Sequence, residues 1–586
     1  MEKWIETRKG GDFAGIAARF GIDPVIARIL RNRDVNTDEQ IEAYLYGNTD
    51  HFYDPHRMKD ADLGAELILE KIRQKKKIRI IGDYDIDGVN ATYILLKALQ
   101  KLNADVDYAI PDRIKDGYGI NEHLIEKARI EQVDTIITCD NGISAFAAIA
   151  FAKQNEMTVI VTDHHDIPYT EERGIKHYKV VPADAVINPK QEDCGYPYKE
   201  LCGAAVAYKL VQVLYEKMQM KDWEVEEFLE NAAFATVGDV MNLTGENRMI
   251  VKTGLRALRQ TKNPGLRALI AQNGLEDKEI SVYHIGFVLG PCLNASGRLD
   301  TAAYALELLR SSHEVQAAAL AKQLIDLNSQ RKALTGQQVE EALAQIQNKK
   351  LDEDRVMVLY LPDCHESLAG IIAGRIRERY YRPVFVVTKG EEELKGSGRS
   401  IEEYSMYEEM NRVADVFTKF GGHPMAAGFS LEERRLEEFR RRINAQCMLS
   451  EDDLTEKVRI DVPLPIRYVT IPLIEQLQLL EPCGKGNAKP VFADRRVRIK
   501  SARILGRNRN VLKLELAGEG IPSIKAVCFR QAEEFLKYLA ERFGQEQVDA
   551  MLRGSGNSIE ISIIYDMEID DYSGRREPQL MIRRYR

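Results

Sequence analysis

IRIIGDYDIDG, residues 78–88, decides the fold. An isoleucine-rich run reaches a glycine and then presents Asp83, Asp85 and Asp87 at alternate positions, directly ahead of the helical stretch NATYILLKALQKL, 90–102. β-branched residues favour a strand, and the apolar spacing after the aspartates is that of a helix, so the segment reads as strand, acidic turn, helix. The spacing also matches positions one, three, five and six of a calcium-binding loop. Position twelve of that loop is Ile94 where a glutamate is required, and the preceding segment is strand-like, which excludes the calcium reading. Asp87 either joins the other aspartates at the site or caps the helix that begins near Val89, a role aspartate fills well, and the cap is the preferred reading.

Downstream the pattern repeats. VDYAI (106–110), NEHLIEKARI (121–130), DTIIT (134–138), SAFAAIAFAKQ (144–154), MTVIV (157–161) and DAVI (184–187) alternate strand with helix. That alternation predicts an α/β domain with a doubly wound, mostly parallel sheet. Two further runs end as the first does, TIITCDNGI at Asp140 and VIVTDHHD at Asp163, His164 and His165. In an open parallel sheet the carboxyl ends of the strands open onto the ligand crevice, so these groups are expected to converge there. Asp239, in NAAFATVGDVM, follows an apolar run and is expected to reach the same crevice. So many carboxylates in one place require cations. Oxygen ligands mixed with imidazole suit Mn²⁺, with Mg²⁺ as the alternative, and one carboxylate bridging two ions gives the two-metal arrangement of phosphoester hydrolysis.

The rest of the chain sets the context. Its 586 residues predict three or four domains, at roughly 150 residues each. With 44% hydrophobic and 30% charged residues it is an ordinary globular composition. The net charge, 82 − 91 = −9, excludes binding of nucleic acid through bulk charge and leaves local patches. Eight scattered cysteines with no CxxC suggest neither a zinc site nor a disulfide scaffold. No apolar segment is long enough to span a bilayer and MEKWIETRKGGDF carries no apolar leader, so a cytoplasmic chain without membrane contact is expected. The organisation predicted is an N-terminal helical appendage, 1–60, with a capping box at Thr37 and Gln40, and an α/β catalytic domain, 61–315. A connecting helix, 316–348, leads to a smaller α/β domain, 349–452, and then to a β-rich domain, 453–586, whose five strand-like runs fit an OB-fold barrel. From Arg495 to Lys513 that last domain has eight basic residues and no acidic one: Arg495, Arg496, Arg498, Lys500, Arg503, Arg507, Arg509 and Lys513. Such a face could track a nucleic-acid backbone.

DYDIDG, CDNG, DHH and GDVM, in this order and spacing, resemble the four motifs of the DHH phosphoesterase superfamily. PDRIKDGYGIN, GPCLNASGRLD, LNSQRK, CHESLAGIIAGRIRERYYRP, KGSGRS, FGGHPMAAG and LEPCGKGNAKPVF extend the resemblance to the RecJ family of single-strand-specific exonucleases over nearly the whole chain. The resemblance implies DHH, DHHA1 and OB domains and a 5′→3′ exonuclease on single-stranded DNA that releases mononucleotides in recombination and repair. Carried over by residue, it implies Asp83, Asp85, Asp140, His164 and Asp239 as metal ligands, with Asp140 as the bridge. His165 would face the scissile phosphate, and Asp163 would orient its neighbours. Arg298, Ser397, Arg399 and His423 correspond to residues contacting phosphate or the terminal nucleotide, the glycines around Ser397 and Arg399 forming an anion-binding nest. Arg113 and Tyr118 would grip and stack the strand at an entrance too narrow for duplex, while Asn328 and Arg331 either contact DNA or pack the domains together.

Cys292 and Cys364 depart from the family pattern, beside the site, and bear on substrate affinity more than on chemistry. A monomer working with a RecQ-type helicase and a single-strand-binding protein is implied by analogy alone. Two other readings compete. One is a hydrolase of short oligonucleotides or cyclic dinucleotides, opposed by the C-terminal barrel. The other is a non-catalytic replication scaffold, opposed by a full set of metal-binding positions.

Overall fold

The structure is a computed structural model that describes residues 2–112, 119–506, 509–517, 523–529, 532–571 and 576–586. It divides into two compact units. One comprises Phe52–Asn242 and Ile250–Glu456, the other Glu2–His51, Leu243–Met249 and Lys457–Arg586.

The first unit opens on the sheet expected from the alternating pattern. β1 (Ile78–Ile81), β2 (Val106–Ala109), β3 (Thr135–Cys139), β4 (Thr158–Thr162) and β5 (Ala185–Ile187) lie in the order β2-β1-β3-β4-β5, every neighbouring pair parallel. β1 and β3 are buried along their whole length, which is why they read as continuous β-branched runs and not as alternating ones. In this order the winding reverses between β1 and β3, the switch point at which a crevice opens above the strand ends. The helices that close on it are α1 (Ile86–Lys101), α2 (Gly203–Lys217), α3 (Leu229–Gly238) and α4 (Gly290–Leu299).

The expected connecting helix is α5 (Glu314–Lys349), 36 residues long. It leads into β6 (Met357–Tyr360), α6 (Glu366–Tyr380), β7 (Val384–Lys389), β8 (Leu394–Arg399), β9 (Lys419–His423) and β10 (Ala426–Leu431). Their sheet runs β9-β10-β8-β7-β6, with only β6 and β7 parallel. α6 and the last turns of α5, through Ala342, Leu343 and Ile346, cover one face, and Phe385, Phe429 and Phe439 fill the other.

The second unit contains a closed five-stranded barrel. Its strands are β11 (Val462–Pro463), a short addition beside β12, then β12 (Phe492–Leu505), β13 (Val511–Ala517), β14 (Ile524–Phe529), β15 (Glu560–Asp570) and β16 (Glu577–Tyr585), with α7 (Ala532–Phe543) after β14. The ring β12-β13-β14-β16-β15 closes through antiparallel pairing of β15 with β12.

The N-terminal segment, read from the sequence as a helical appendage, shares a core with the barrel. Helices Phe13–Phe20, Pro24–Asn32 and Asp38–Tyr46 form, the last with the Thr37/Gln40 capping box, but Ile26, Ile29, Leu30, Ile41 and Leu45 are buried in one core with Leu480, Val497 and Leu512. A segment of about 50 residues buries too little apolar surface to stand alone, and the barrel supplies what it lacks. Arg248 belongs to the same unit and is fully buried, its guanidinium donating to the carbonyls of Tyr44 and of residues 479–482. Among the described residues no helix is long and apolar enough to cross a membrane.

Candidate metal centre

The turns after β1, β3 and β4 bring the predicted groups together. Three sets of side chains each hold their ligand atoms within 4.8 Å of one another: Asp83, Asp85 and Asp140; Asp87, His164 and Asp239; and Asp140, His164 and His165. His164 Nε2 lies 3.1 Å from Asp140 Oδ1, 3.6 Å from Asp87 Oδ2 and 3.9 Å from Asp239 Oδ2. Asp239 arrives from a helix and not a strand: the apolar run before it is α3, and Asp239 is its C-cap. Val240 beside it sits at φ 57°, rare for a β-branched residue and a mark of local strain.

Asp87, for which the sequence reading preferred a helix cap to a place in the cluster, lies in the cluster. The cap of α1 is Asp85, whose side chain accepts from the Asp87 and Gly88 N–H groups. Asp87 instead turns inward, where the first N–H groups of α2, those of Gly203 and Ala204, each donate to it at 2.7 Å. A Cβ on Gly203 would stand 2.6 Å from that of Asp140, so only glycine lets the α2 terminus approach this closely. The signal was the glycine opening the apolar helix GAAVAYKL, 203–210. Asn141 braces the β3 turn, donating to the carbonyls of Ile81 and Cys139, and Asn294 of α4 accepts from Ile86 N–H.

The electrostatics fit a cation centre. Burial first, and the charge of Asp85 next, push Asp83 well above the usual carboxylate range, and burial with four neighbouring carboxylates does the same to Asp140. Neither oxygen of Asp83 makes a well-formed hydrogen bond among the described residues, although the N–H groups of Tyr84 and Gly119 lie close enough to oppose the shift in part. Burial lowers His164 to about 4, leaving it neutral and available as a ligand. For Asp163 burial works upward, but the His165 hydrogen bond, both imidazoles and the Ile143 N–H outweigh it and hold the carboxyl at about 2. Burial opposes the charge on His165, yet its 2.8 Å bond from Nδ1 to Asp163 raises it to about 9. Buried carboxylates with one neutral imidazole are a donor set for hard divalent ions.

Around this centre the remaining expectations fare unevenly. Arg298 donates from Nη1 to the Ser367 carbonyl at 2.8 Å, and Ser367 Oγ donates back to the Arg298 carbonyl, so α4 is tied to the start of α6. Ser397 and Arg399 lie together on β8, Arg399 Nη1 3.3 Å from Ser397 Oγ, but the nest is corrected. Gly396, Ser397 and Gly398 are paired in the sheet on both sides, with β7 and β10, and their backbone groups belong to the ladder. The glycines are there for packing: a Cβ on Gly396 would meet Phe429 Cζ at 2.1 Å. His423 ends β9 exposed. Asp166 is held below the usual range first by its bond to Lys190, with the charges of His423 and His165 adding to that. Asn328 is buried, its Nδ2 3.4 Å from Cys292 Sγ and its Oδ1 accepting from Arg331, which places it with the packing. Cys364 is also buried, with its thiol on the His365 carbonyl.

Arg113, Tyr118 and Arg507 lie outside the described residues. Along β12 the basic residues Arg495, Arg496, Arg498, Lys500 and Arg503 are exposed while Val497, Ile499 and Ala502 point inward, and Arg509 is exposed beyond the strand. The face is not purely basic, because Glu515 on β13 sits near Lys500 and Arg503.

Known proteins agree with this picture. Family models match at residues 77–236 (DHH family, N-terminal domain), 353–448 (DHHA1 domain) and 460–584 (RecJ OB domain). The single-stranded-DNA-specific exonuclease RecJ of Bacillus subtilis (strain 168) is 34% identical over 97% of this chain and 68% of that protein. The same-named protein of Escherichia coli (strain K12) is 30% identical over 96% and 95%. The crystal structure of RecJ in complex with Mn²⁺ from Thermus thermophilus superposes with a TM-score of 0.82 at 27% identity, over 100% of this chain and 79% of that one. Three matching domains in order, with full-length relatives at this identity, make the chain a member of the RecJ family.

Proposed function

We propose that the chain is a single-stranded-DNA-specific 5′→3′ exonuclease that hydrolyses phosphodiesters with two divalent ions, Mn²⁺ before Mg²⁺, and releases 5′-mononucleotides in recombination and repair. The observation that carries the reading is the convergence of five carboxylates and two imidazoles at one switch point, with Asp83 and Asp140 buried among like charges. When bound, the ions supply Lewis acidity, making a water nucleophilic near neutral pH and neutralising charge on the attacked phosphate.

The chain's own groups do the rest. Asp83, Asp85 and Asp140 would hold one ion and Asp87, His164 and Asp239 the other, with Asp140 beside both through its 3.1 Å approach to His164. Asp163, kept ionised, holds His165 by its Nδ1 and so would orient the imidazole toward the scissile phosphate. Arg298, Ser397, Arg399 and His423 are assigned to substrate phosphates and the terminal nucleotide, and the exposed β12 face to the backbone of a longer strand. By family analogy the enzyme works as a cytoplasmic monomer with a RecQ-type helicase and a single-strand-binding protein.

The test is digestion of a long single strand labelled at either end, by wild type and Asp140→Ala, in Mn²⁺, Mg²⁺ and chelator, with a duplex control. Immediate release of the 5′ label as mononucleotide, only from single strands and only by metal-loaded wild type, is the expected result. Normal turnover by Asp140→Ala overturns the metal assignment, and hydrolysis confined to dinucleotides or cyclic dinucleotides overturns the substrate.

A further inference from the structure

Away from the metal centre, the first unit has a cavity of about 750 Å³ between α1, the segment 223–230 and residues 257–264. Its size is that of a ligand site, not of a packing defect. Tyr93, Trp223 and Phe228 contribute aromatic walls, and Glu226, Glu227 and Glu230 contribute carboxylates.

The decisive residue is Glu230. It is 8% exposed, and its one hydrogen bond among the described residues is from Thr261 Oγ1 to Oε1 at 2.9 Å, which leaves Oε2 without a partner there. Among the same residues no cation pairs with it. Glu227 is already bonded to Lys101 at 2.6 Å and Arg310 to Glu307, while Lys97 and Lys262 stand exposed at the rim. Burial, with the charge of Glu227 adding, raises Glu230 to about 7, as expected of a carboxylate that lacks its counter-ion. A buried carboxylate of this kind is costly unless a donor or cation completes it, and the metal-centre chemistry makes no use of it. Trp223 is 61% exposed at the mouth, large for a tryptophan with nothing to cover.

We propose that this cavity binds an alkylammonium group, its charge on Glu230 and its methylene stem against Trp223 and Tyr93. Aromatic faces attract ammonium groups, and the nearby Lys101 already places its own Nζ 5.8 Å from the Phe228 ring centre. The same chemistry has two sources, a free polyamine or a lysine side chain of another protein. The cavity walls are the far ends of α1 and α3, whose other ends carry Asp85, Asp87 and Asp239, so occupancy would brace two helices of the metal centre.

Trp223 supplies the probe, since the chain has 2 tryptophans and Trp4→Phe leaves it alone. Putrescine and spermidine are titrated against the full-length Trp4→Phe protein while emission is followed, with 1-butanol and NaCl of equal ionic strength as controls. The expected result is a saturable change with the amines only, accompanied by a rise in melting temperature. In Glu230→Gln the apparent affinity should fall about tenfold or more, the loss of a charge-assisted hydrogen bond, with metal-dependent cleavage retained as proof of folding. Nα-acetyl-lysine methylamide binding as tightly as putrescine would assign the site to a protein lysine, and binding about tenfold weaker would assign it to a free polyamine. No saturable change, an equal change with NaCl, or unchanged affinity in folded Glu230→Gln overturns the proposal.

Discussion

Asp85 and Asp87 are two residues apart and chemically identical, and the backbone gives them different tasks. Asp85 stands at the point where the chain enters α1 and satisfies the free N–H groups there, while Asp87 faces α2 and is fixed by the N–H groups of Gly203 and Ala204. The distinction can be measured, because asparagine keeps one acceptor oxygen for the two N–H groups and carries no charge for a cation. Asp87→Asn is therefore expected to cost the metal-free protein about one hydrogen bond, on the order of 1 kcal/mol, and to lose metal affinity and cleavage by about 10- to 100-fold, as read by thermal melting, Mn²⁺ calorimetry and strand digestion. Wild-type affinity would return Asp87 to a purely structural role. The neighbouring pair works by the same logic of placement: the His165 hydrogen bond and the two imidazoles, with backbone N–H groups adding to them, keep Asp163 ionised against its burial, and Asp163 in turn raises His165.

At the level of elements, the centre is assembled by ends of elements and not by their faces. β1, β3 and β4 stop at one level and deliver turns, while α2 points its N-terminus, with its partial positive charge, into a cluster of carboxylates. Gly203 makes that approach fit. Alanine there would favour the helix locally, but its methyl would stand 2.6 Å from Asp140 Cβ and push the two apart. Gly203→Ala should lower Mn²⁺ affinity about tenfold, with far-UV circular dichroism unchanged. Unchanged affinity would mean that the α2 terminus plays no part in positioning the site. The glycines of β8 illustrate the opposite case, where the same residue type answers to Phe429 and Phe385 in the core and leaves no free backbone group for an anion.

On the scale of the whole molecule the question is how a chain of net charge −9 holds a polyanion. The acidic surplus includes the buried metal-centre carboxylates, and the barrel carries an exposed basic row along β12. Replacing Arg495, Lys500 and Arg503 with glutamine should weaken binding of long single strands and flatten the salt dependence of log K by about 0.7 for each phosphate that is no longer neutralised. Fluorescence anisotropy across a salt series measures this, and cleavage of very short strands should be unaffected. An unchanged slope would take the barrel out of the DNA path. Because the helices of residues 2–51 share the barrel's core, truncating the barrel would strip them of their packing, and substitutions on its surface give the cleaner experiment.

The order of motifs, the strand-helix alternation and the acidic ends of three runs were all determined by sequence, because a strand buried on both faces needs a continuous apolar run and a binding turn needs its polar residues just beyond it. The five barrel strands and the long connecting helix were legible for the same reason, since each carries its own period and length. What only the tertiary structure decided was which of two neighbouring aspartates turns inward, whether a glycine serves a turn or a packed ring, and that residues 2–51 complete the core of the C-terminal barrel. The cavity around Glu230 belongs to the same class. Each of these depends on contacts between residues far apart in the chain, Asp87 with Gly203, Gly396 with Phe429 and Ile26 with the barrel core, and local pattern holds no record of which distant surface a side chain will meet.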